Sequence, residues 1–232
     1  MNSGYSVPAH NRLLRFLLRP VFRGLFHLLS RVEISGLENV PRYGAYMIAI
    51  NHVSLYEAPF MLAFWPVAPE AVGAVEIWQR RGQSTLARIY GGIPVHRGEY
   101  DRHLIDKMCA VLRSGRPLLI APEGGRSHTP GMHRALPGVA FVVEKADVPV
   151  VPVGIVGTTD DFLARALRGK RPTLEMRIGE PLRLPKHSND RGNRRDTRQQ
   201  NVDLIMKHIA RLVPDEYRGV YADYGDAFQA TQ

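Results

Sequence analysis

His52 and Glu57 stand five positions apart in His52-Val53-Ser54-Leu55-Tyr56-Glu57, just after an apolar run from Ala45 to Ile50. That run reads as a buried strand, so His52 falls where strand gives way to loop, a favoured place for catalytic side chains. A neutral imidazole held by a carboxylate can take a proton from an alcohol near pH 7, which is general-base catalysis with the orienting third group that triads use. The pair points to acyl or phosphoryl transfer to a hydroxyl. On its own it has the same sequence as a loop histidine bonded to a neighbouring acid. Ser54, the hydroxyl inside the motif, is the rival nucleophile.

Three further segments add to the pair. In Gly91-Gly92-Ile93-Pro94-Val95-His96-Arg97-Gly98, two glycines let the backbone approach a ligand and Arg97 follows a short strand; a guanidinium offers a planar fork of donors suited to phosphate. Pro117 to Ser127 is an apolar strand ending in Pro122-Glu123-Gly124-Gly125-Arg126, where turn amides and Arg126 could form an anion site. Val148 to Gly154 is an apolar strand carrying Pro149 and Pro152, which must start the strand or lie on an unpaired edge.

In this order the segments resemble the glycerolipid acyltransferases of the lysophosphatidic acid acyltransferase type. The family's blocks are an Asn-His with an acid five residues on, a Gly-rich segment with Arg, a Phe-Pro-Glu-Gly-Thr-Arg-Ser segment and a Val-Pro-Val-Val-Pro-Val strand. They correspond to Asn51–Glu57, Gly91–Arg97, Ala121–Ser127 and Val148–Val153. Glu33 to Pro41 and Ile178 to Leu182 also look like family segments, so the resemblance spans roughly residues 32 to 184. The resemblance implies transfer of an acyl group from acyl-CoA or acyl carrier protein to the free hydroxyl of 1-acylglycerol-3-phosphate, giving phosphatidic acid, with no cofactor. It implies that His52 is the base and Glu57 its partner, and that Arg97, Glu123, Gly124, Arg126 and Ser127 hold the phosphoglycerol part of the acceptor. It argues against Ser54 as nucleophile, because a thiolate leaves readily and no acyl-enzyme is required. Gly91 and Gly92 are oxyanion candidates through backbone freedom. The chain departs from the pattern at Glu57 for Asp, Ala121 for an aromatic and Gly125 for Thr. These departures bear on the acceptor, which could instead be another lysophospholipid, a glycolipid or a lyso-ornithine lipid. A non-catalytic lipid-binding protein is the reading from outside enzymology.

Composition fits one enzyme domain: 232 residues, 44% of them hydrophobic, can bury a sizeable core. The net charge of +9 is unevenly placed. Residues 1–31 hold five Arg and no acid, residues 165–198 carry +7, and the remainder sums to −3. Arg12, Arg15, Arg19, Arg23, His27 and Ser30 recur every three or four residues, with Leu and Phe elsewhere, as in an amphipathic helix lying in an anionic membrane interface. The same pattern fits a helix docking its broad apolar face on the domain. Pro20 is expected to kink or divide it. Arg15, Arg19 and Arg23 argue against a transmembrane span, and no small-residue cleavage site follows. Residues 1–31 therefore read as a membrane-associating helical segment and 32–232 as the acyltransferase domain, at the cytoplasmic face of a membrane. Lys186 to Gln200 reads as an exposed loop that could meet lipid headgroups. No aromatic residue interleaves with those charges, which disfavours nucleic acid. Cys109, on a helical apolar stripe, reads as a core thiol. His128 and His133 flank a Pro-Gly turn, which makes no compact metal pattern, and no metal is expected.

Seven strand candidates (Val32–Ser35, Ala45–Ile50, Ala71–Val75, Ile93–Val95, Leu118–Ala121, Val150–Val156, Leu174–Ile178) alternate with helix candidates at Tyr56–Phe64, Ser84–Tyr90, Asp101–Ser114, Pro137–Lys145 and Thr197–Leu212. The alternation predicts an α/β fold: a mixed, mostly parallel sheet flanked by helices, with sites at strand ends.

Overall fold

The computed structural model describes residues 4–97, 101–185 and 194–224; Gly98 and residues 186–193 of the expected basic loop lie outside them. Seven strands form one sheet in the order β1-β7-β6-β2-β5-β3-β4, with β1 (Arg31–Ser35), β2 (Met47–Ile50), β3 (Glu70–Ala74), β4 (Ile93–Val95), β5 (Leu118–Ile120), β6 (Val150–Val156) and β7 (Thr173–Ile178). Every pairing is parallel except β6 with β7. The expected mixed, mostly parallel sheet is what forms.

Helices cover both faces because the central strands are apolar on both. In β2, Met47 and Ala49 face a core shared with α4 (Arg102–Arg113), α5 (Gly138–Ala146) and α7 (Arg194–Ala210), whereas Ile48 and Ile50 face the other core, built with α1 (Ala9–Leu29), α2 (Glu57–Phe64) and α6 (Phe162–Leu167). Alternation along the strand assigns the sides. Cys109 on α4 is fully buried in the first core. α4 starts where Asp101 accepts Leu104 N–H at 3.0 Å, an N-cap. Of the segment expected as loop, residues 194–196 belong to α7, which starts three residues before the expected helix bound at Thr197.

Pro152 corrects one expectation. It sits inside β6, which is paired on both sides, rather than on an edge. Its carbonyl accepts Gly179 N–H at 2.9 Å, just past the end of β7. A residue's N–H and C=O point to the same side of a strand, so the missing proline N–H faces the place where β7 pairing has ended. Gly179 makes room, since a Cβ there would come within 3.0 Å of the proline ring.

α1 corrects another. It is a single helix across Pro20, and Arg15, Arg19 and Arg23 of its stripe turn toward the protein while Arg12 stays exposed. Arg19 donates to the Leu62 and Trp65 carbonyls and Arg23 to Ala63 O at 2.6 Å, closing the C-terminal end of α2. Asn11 donates to the Arg88 and Ile89 carbonyls and Arg15 to Tyr90 O, closing the end of α3 (Gln83–Tyr90). Helix ends leave carbonyls without partners, and α1 supplies their donors. Phe26 packs inward, while Leu13, Phe16, Leu17, Val21, Leu25 and Leu28 stay exposed. No helix among the described residues is long and apolar enough to cross a membrane.

The anchor of α1 is Glu70, fully buried at the start of β3. It accepts both Arg15 Nη1 and Nη2, at 2.8 and 2.7 Å, with Arg116 Nε and Tyr5 Oη at 2.8 Å each. Burial pushes the Glu70 carboxyl upward, but the Arg15 bonds and charge and the other donors outweigh it, and the net shift is down. Arg15→Ala leaves a buried carboxylate short of its main partner and is expected to destabilise the fold by about 3–5 kcal/mol in urea denaturation. A carboxyl depressed in the folded state contributes stability above its unfolded value that is lost on acidification. The stability gap between the native chain and Glu70→Gln should therefore narrow as pH falls below the ordinary value of 4.5.

Candidate active site

Asn51 fixes the exit of β2. Buried completely, it donates to Ile155 O at 2.9 Å and accepts Ile155 N–H at 2.7 Å, clipping the chain to β6. His52 follows, and the loop then folds back to start α2 at Glu57. Glu57 is 0% exposed. Its Oε2 lies 3.0 Å from His52 Nδ1, and Oε1 accepts Ser54 N–H at 2.9 Å and Thr158 Oγ1 at 2.6 Å. Ser54 Oγ, also wholly buried, lies 3.3 Å from Glu57 Oε1 and accepts Tyr56 N–H at 3.1 Å. The rival nucleophile is thus committed to the turn that carries Glu57.

Two other expected contacts lie behind the histidine rather than in front of it. Glu123, after β5, accepts His52 N–H at 2.8 Å through Oε1 and His133 N–H at 2.7 Å through Oε2. Ser127 N–H donates to His52 O at 2.9 Å, and its hydroxyl donates to Thr129 O at 2.5 Å. Both residues brace the His52 backbone. Gly124 takes φ +71 between them, with the Leu136 side chain close against it. Gly91 and Gly92 are also placed differently from the oxyanion expectation. Gly91, at φ +76, caps α3, and the amides of both glycines donate to Ala87 O, so neither N–H is left for a substrate.

A cavity of about 960 Å³ runs over the C-terminal ends of the parallel strands, and His52, Arg97, Gly124 and Arg126 stand on its wall. Its remaining lining is mainly apolar and comes from both faces of the sheet, with Leu18, Phe22 and Leu62 from one side and Ile105 and Val139 from the other. That is the size and character of a site for a long apolar ligand. Arg97 reaches Gly125, where a Cβ would lie 3.8 Å from its Nη1. Among the described residues neither Arg97 nor Arg126 has an ion pair or hydrogen bond to its side chain. The His52 side chain is 21% exposed. With Nδ1 engaged, Nε2 is the ring nitrogen left for a substrate.

Residues 31–156, more than half of the chain, match the acyltransferase family. The chain belongs to the acyltransferase family. Among solved structures it is similar to the 1-acyl-sn-glycerophosphate (LPA) acyltransferase PlsC from Thermotoga maritima, with 22% identity, a TM-score of 0.59, and coverage of 84% of this chain and 79% of that one. At that identity the likeness is one of fold. The matched region holds every residue named on the cavity floor, from His52 to Arg126, and stops at the end of β6. Thr158, which bonds Glu57, lies just beyond it and is not singled out in the sequence, because a Thr after an apolar strand carries no signal of its partner.

Burial pushes the Glu123 carboxyl up to about 7, against the two amide bonds that favour its charged form and with Glu57 nearby adding to the rise. The folded state therefore keeps a proton that the unfolded chain has lost, and this group's contribution to stability declines from about pH 4.5 to about pH 7. Glu123→Gln sets an amide NH2 against one of two backbone donors, for an expected loss of about 1–3 kcal/mol. Urea midpoints should show the gap between native and variant acyltransferase narrowing from pH 5 to pH 8.

Proposed function

We propose that this acyltransferase moves an acyl group from a CoA or carrier-protein thioester to the free hydroxyl of a lysophospholipid, with 1-acylglycerol-3-phosphate as the first candidate acceptor. The observation that carries the reading is the His52–Glu57 pair at 3.0 Å, its outer nitrogen left free on the wall of a mainly apolar cavity beside two arginines that have no partner among the described residues. His52 Nε2 takes the hydroxyl proton as the oxygen attacks the thioester carbonyl, and Glu57 holds the ring and stabilises the imidazolium. Collapse of the tetrahedral centre expels the thiolate, which takes up the proton from His52. Arg97 and Arg126 hold the acceptor phosphate. The amides of Gly125 and Arg126, which make no hydrogen bond among the described residues, are the donors left for the oxyanion.

The exposed apolar row of α1, Phe16 and Leu28 above all, is the surface suited to a membrane interface, since α1 also walls the cavity into which a lipid must pass. Arg15, Arg19 and Arg23 bond to the protein, so attachment rests more on apolar contact than on headgroup charge.

The test is acyl transfer by the purified protein from labelled acyl-CoA, and separately from acyl carrier protein, to 1-acylglycerol-3-phosphate beside other lysolipids. The expected result is transfer to 1-acylglycerol-3-phosphate that falls by about 10²–10⁴-fold in His52→Ala, with vesicle binding unchanged. Transfer only to an acceptor without a phosphomonoester would move the assignment to that lipid. Transfer insensitive to His52→Ala would remove the base.

A further inference from the structure

The chain ends its described course in α8 (Asp215–Arg218) and a tight turn through Gly219–Tyr224, neither of which reaches the cavity. Tyr217 nonetheless touches both supports of the His52–Glu57 pair. Its hydroxyl accepts Gly157 N–H at 3.0 Å, and the next residue, Thr158, donates its hydroxyl to Glu57. Its carbonyl accepts Met132 N–H at 3.0 Å, and the next residue, His133, donates its amide to Glu123, which holds the His52 amide. One path ends on the acid and the other on the histidine.

The neighbourhood is built to hold this residue still. Tyr217 is 5% exposed. Tyr221 accepts Ala135 N–H at 3.0 Å and donates to Asp203 at 2.9 Å, fixing the same loop a few residues on. Gly219, at φ +53, lies so close to Met132 that a Cβ would fall 2.2 Å from its carbonyl oxygen. Val220 N–H then donates to that oxygen at 3.1 Å.

We propose that Tyr217 is a positioning residue for acyl transfer, setting through its hydroxyl and carbonyl the relation between the loop that holds Glu57 and the loop that holds His52. The proposal rests on the reading of those two residues as acid and base. The Tyr217 ring belongs to the same core as Val213 and Val139, and phenylalanine keeps that packing and the carbonyl. Only the hydroxyl bond to Gly157 is lost.

Tyr217→Phe is therefore expected to lower kcat roughly tenfold while KM for each substrate stays within about twofold, since misplaced catalytic groups cost turnover before they cost binding. Combining it with Thr158→Val should lower kcat no further than the worse single variant, because both act on Glu57 along one path. An unchanged kcat, or losses that multiply in the double variant, would overturn the proposal. A readout free of turnover is solvent exchange of the His52 Nδ1 proton, followed by NMR in histidine-labelled protein. Faster exchange in Tyr217→Phe is expected, and equal exchange sinks the positioning role. If the native protein transfers to no acceptor, the assignment of the site has failed, and the exchange measurement still decides the geometry.

Discussion

A carboxylate taken out of water loses its hydration and costs several kcal/mol unless donors replace it. Glu57 is fully buried, and Ser54 N–H, Thr158 Oγ1 and the His52 ring stand in for that water. Each donor needs its own support. Ser54 is set by the turn into α2, Thr158 by the end of β6, and His52 by Asn51, Glu123 and Ser127. Three adjacent strands of the sheet, β6, β2 and β5, thus end in residues that hold one carboxylate and one imidazole in place. The parallel direction of these strands brings their C-terminal ends to one edge, where such sites gather.

The same device recurs at Glu70, with a different outcome. There Arg15, Arg116 and Tyr5 surround a buried carboxylate with no free face, and the product is attachment of α1. Because α1 also closes the ends of α2 and α3 and walls the cavity, its position and the cavity's shape are tied together. Its inward arginines leave apolar side chains outside. A helix wheel sees the stripe but not which side meets the protein, since that depends on the orphan carbonyls of helices far away in sequence.

Much of the architecture was legible from local pattern. All seven strands and five of the later helices lie within three residues of their expected bounds, because apolar runs between Gly, Pro and Asn signals mark strands reliably. The short α6 and α8 left no such trace. The His52–Glu57 pair was legible because both residues sit on one turn. The motif resemblance puts Glu123 and Ser127 at the substrate, because a motif reports which residues occur together, not which way they face. Backbone freedom suggests Gly91 and Gly92 as oxyanion donors, and that freedom is used to cap a helix. Thr158 and Tyr217 reach the pair only through distant loops, a relation no local spacing encodes.

Buried Glu57 is expected to select one tautomer of His52, with the proton on Nδ1 and a bare Nε2 toward the cavity. Nitrogen NMR of histidine-labelled protein, at a pH where the ring is neutral, reads this directly. The signal that disappears in His52→Gln is expected to show a protonated Nδ1 and an unprotonated Nε2. A bare Nδ1 with the proton on Nε2 would contradict it, because the nitrogen beside the substrate would then have no lone pair with which to act as a base.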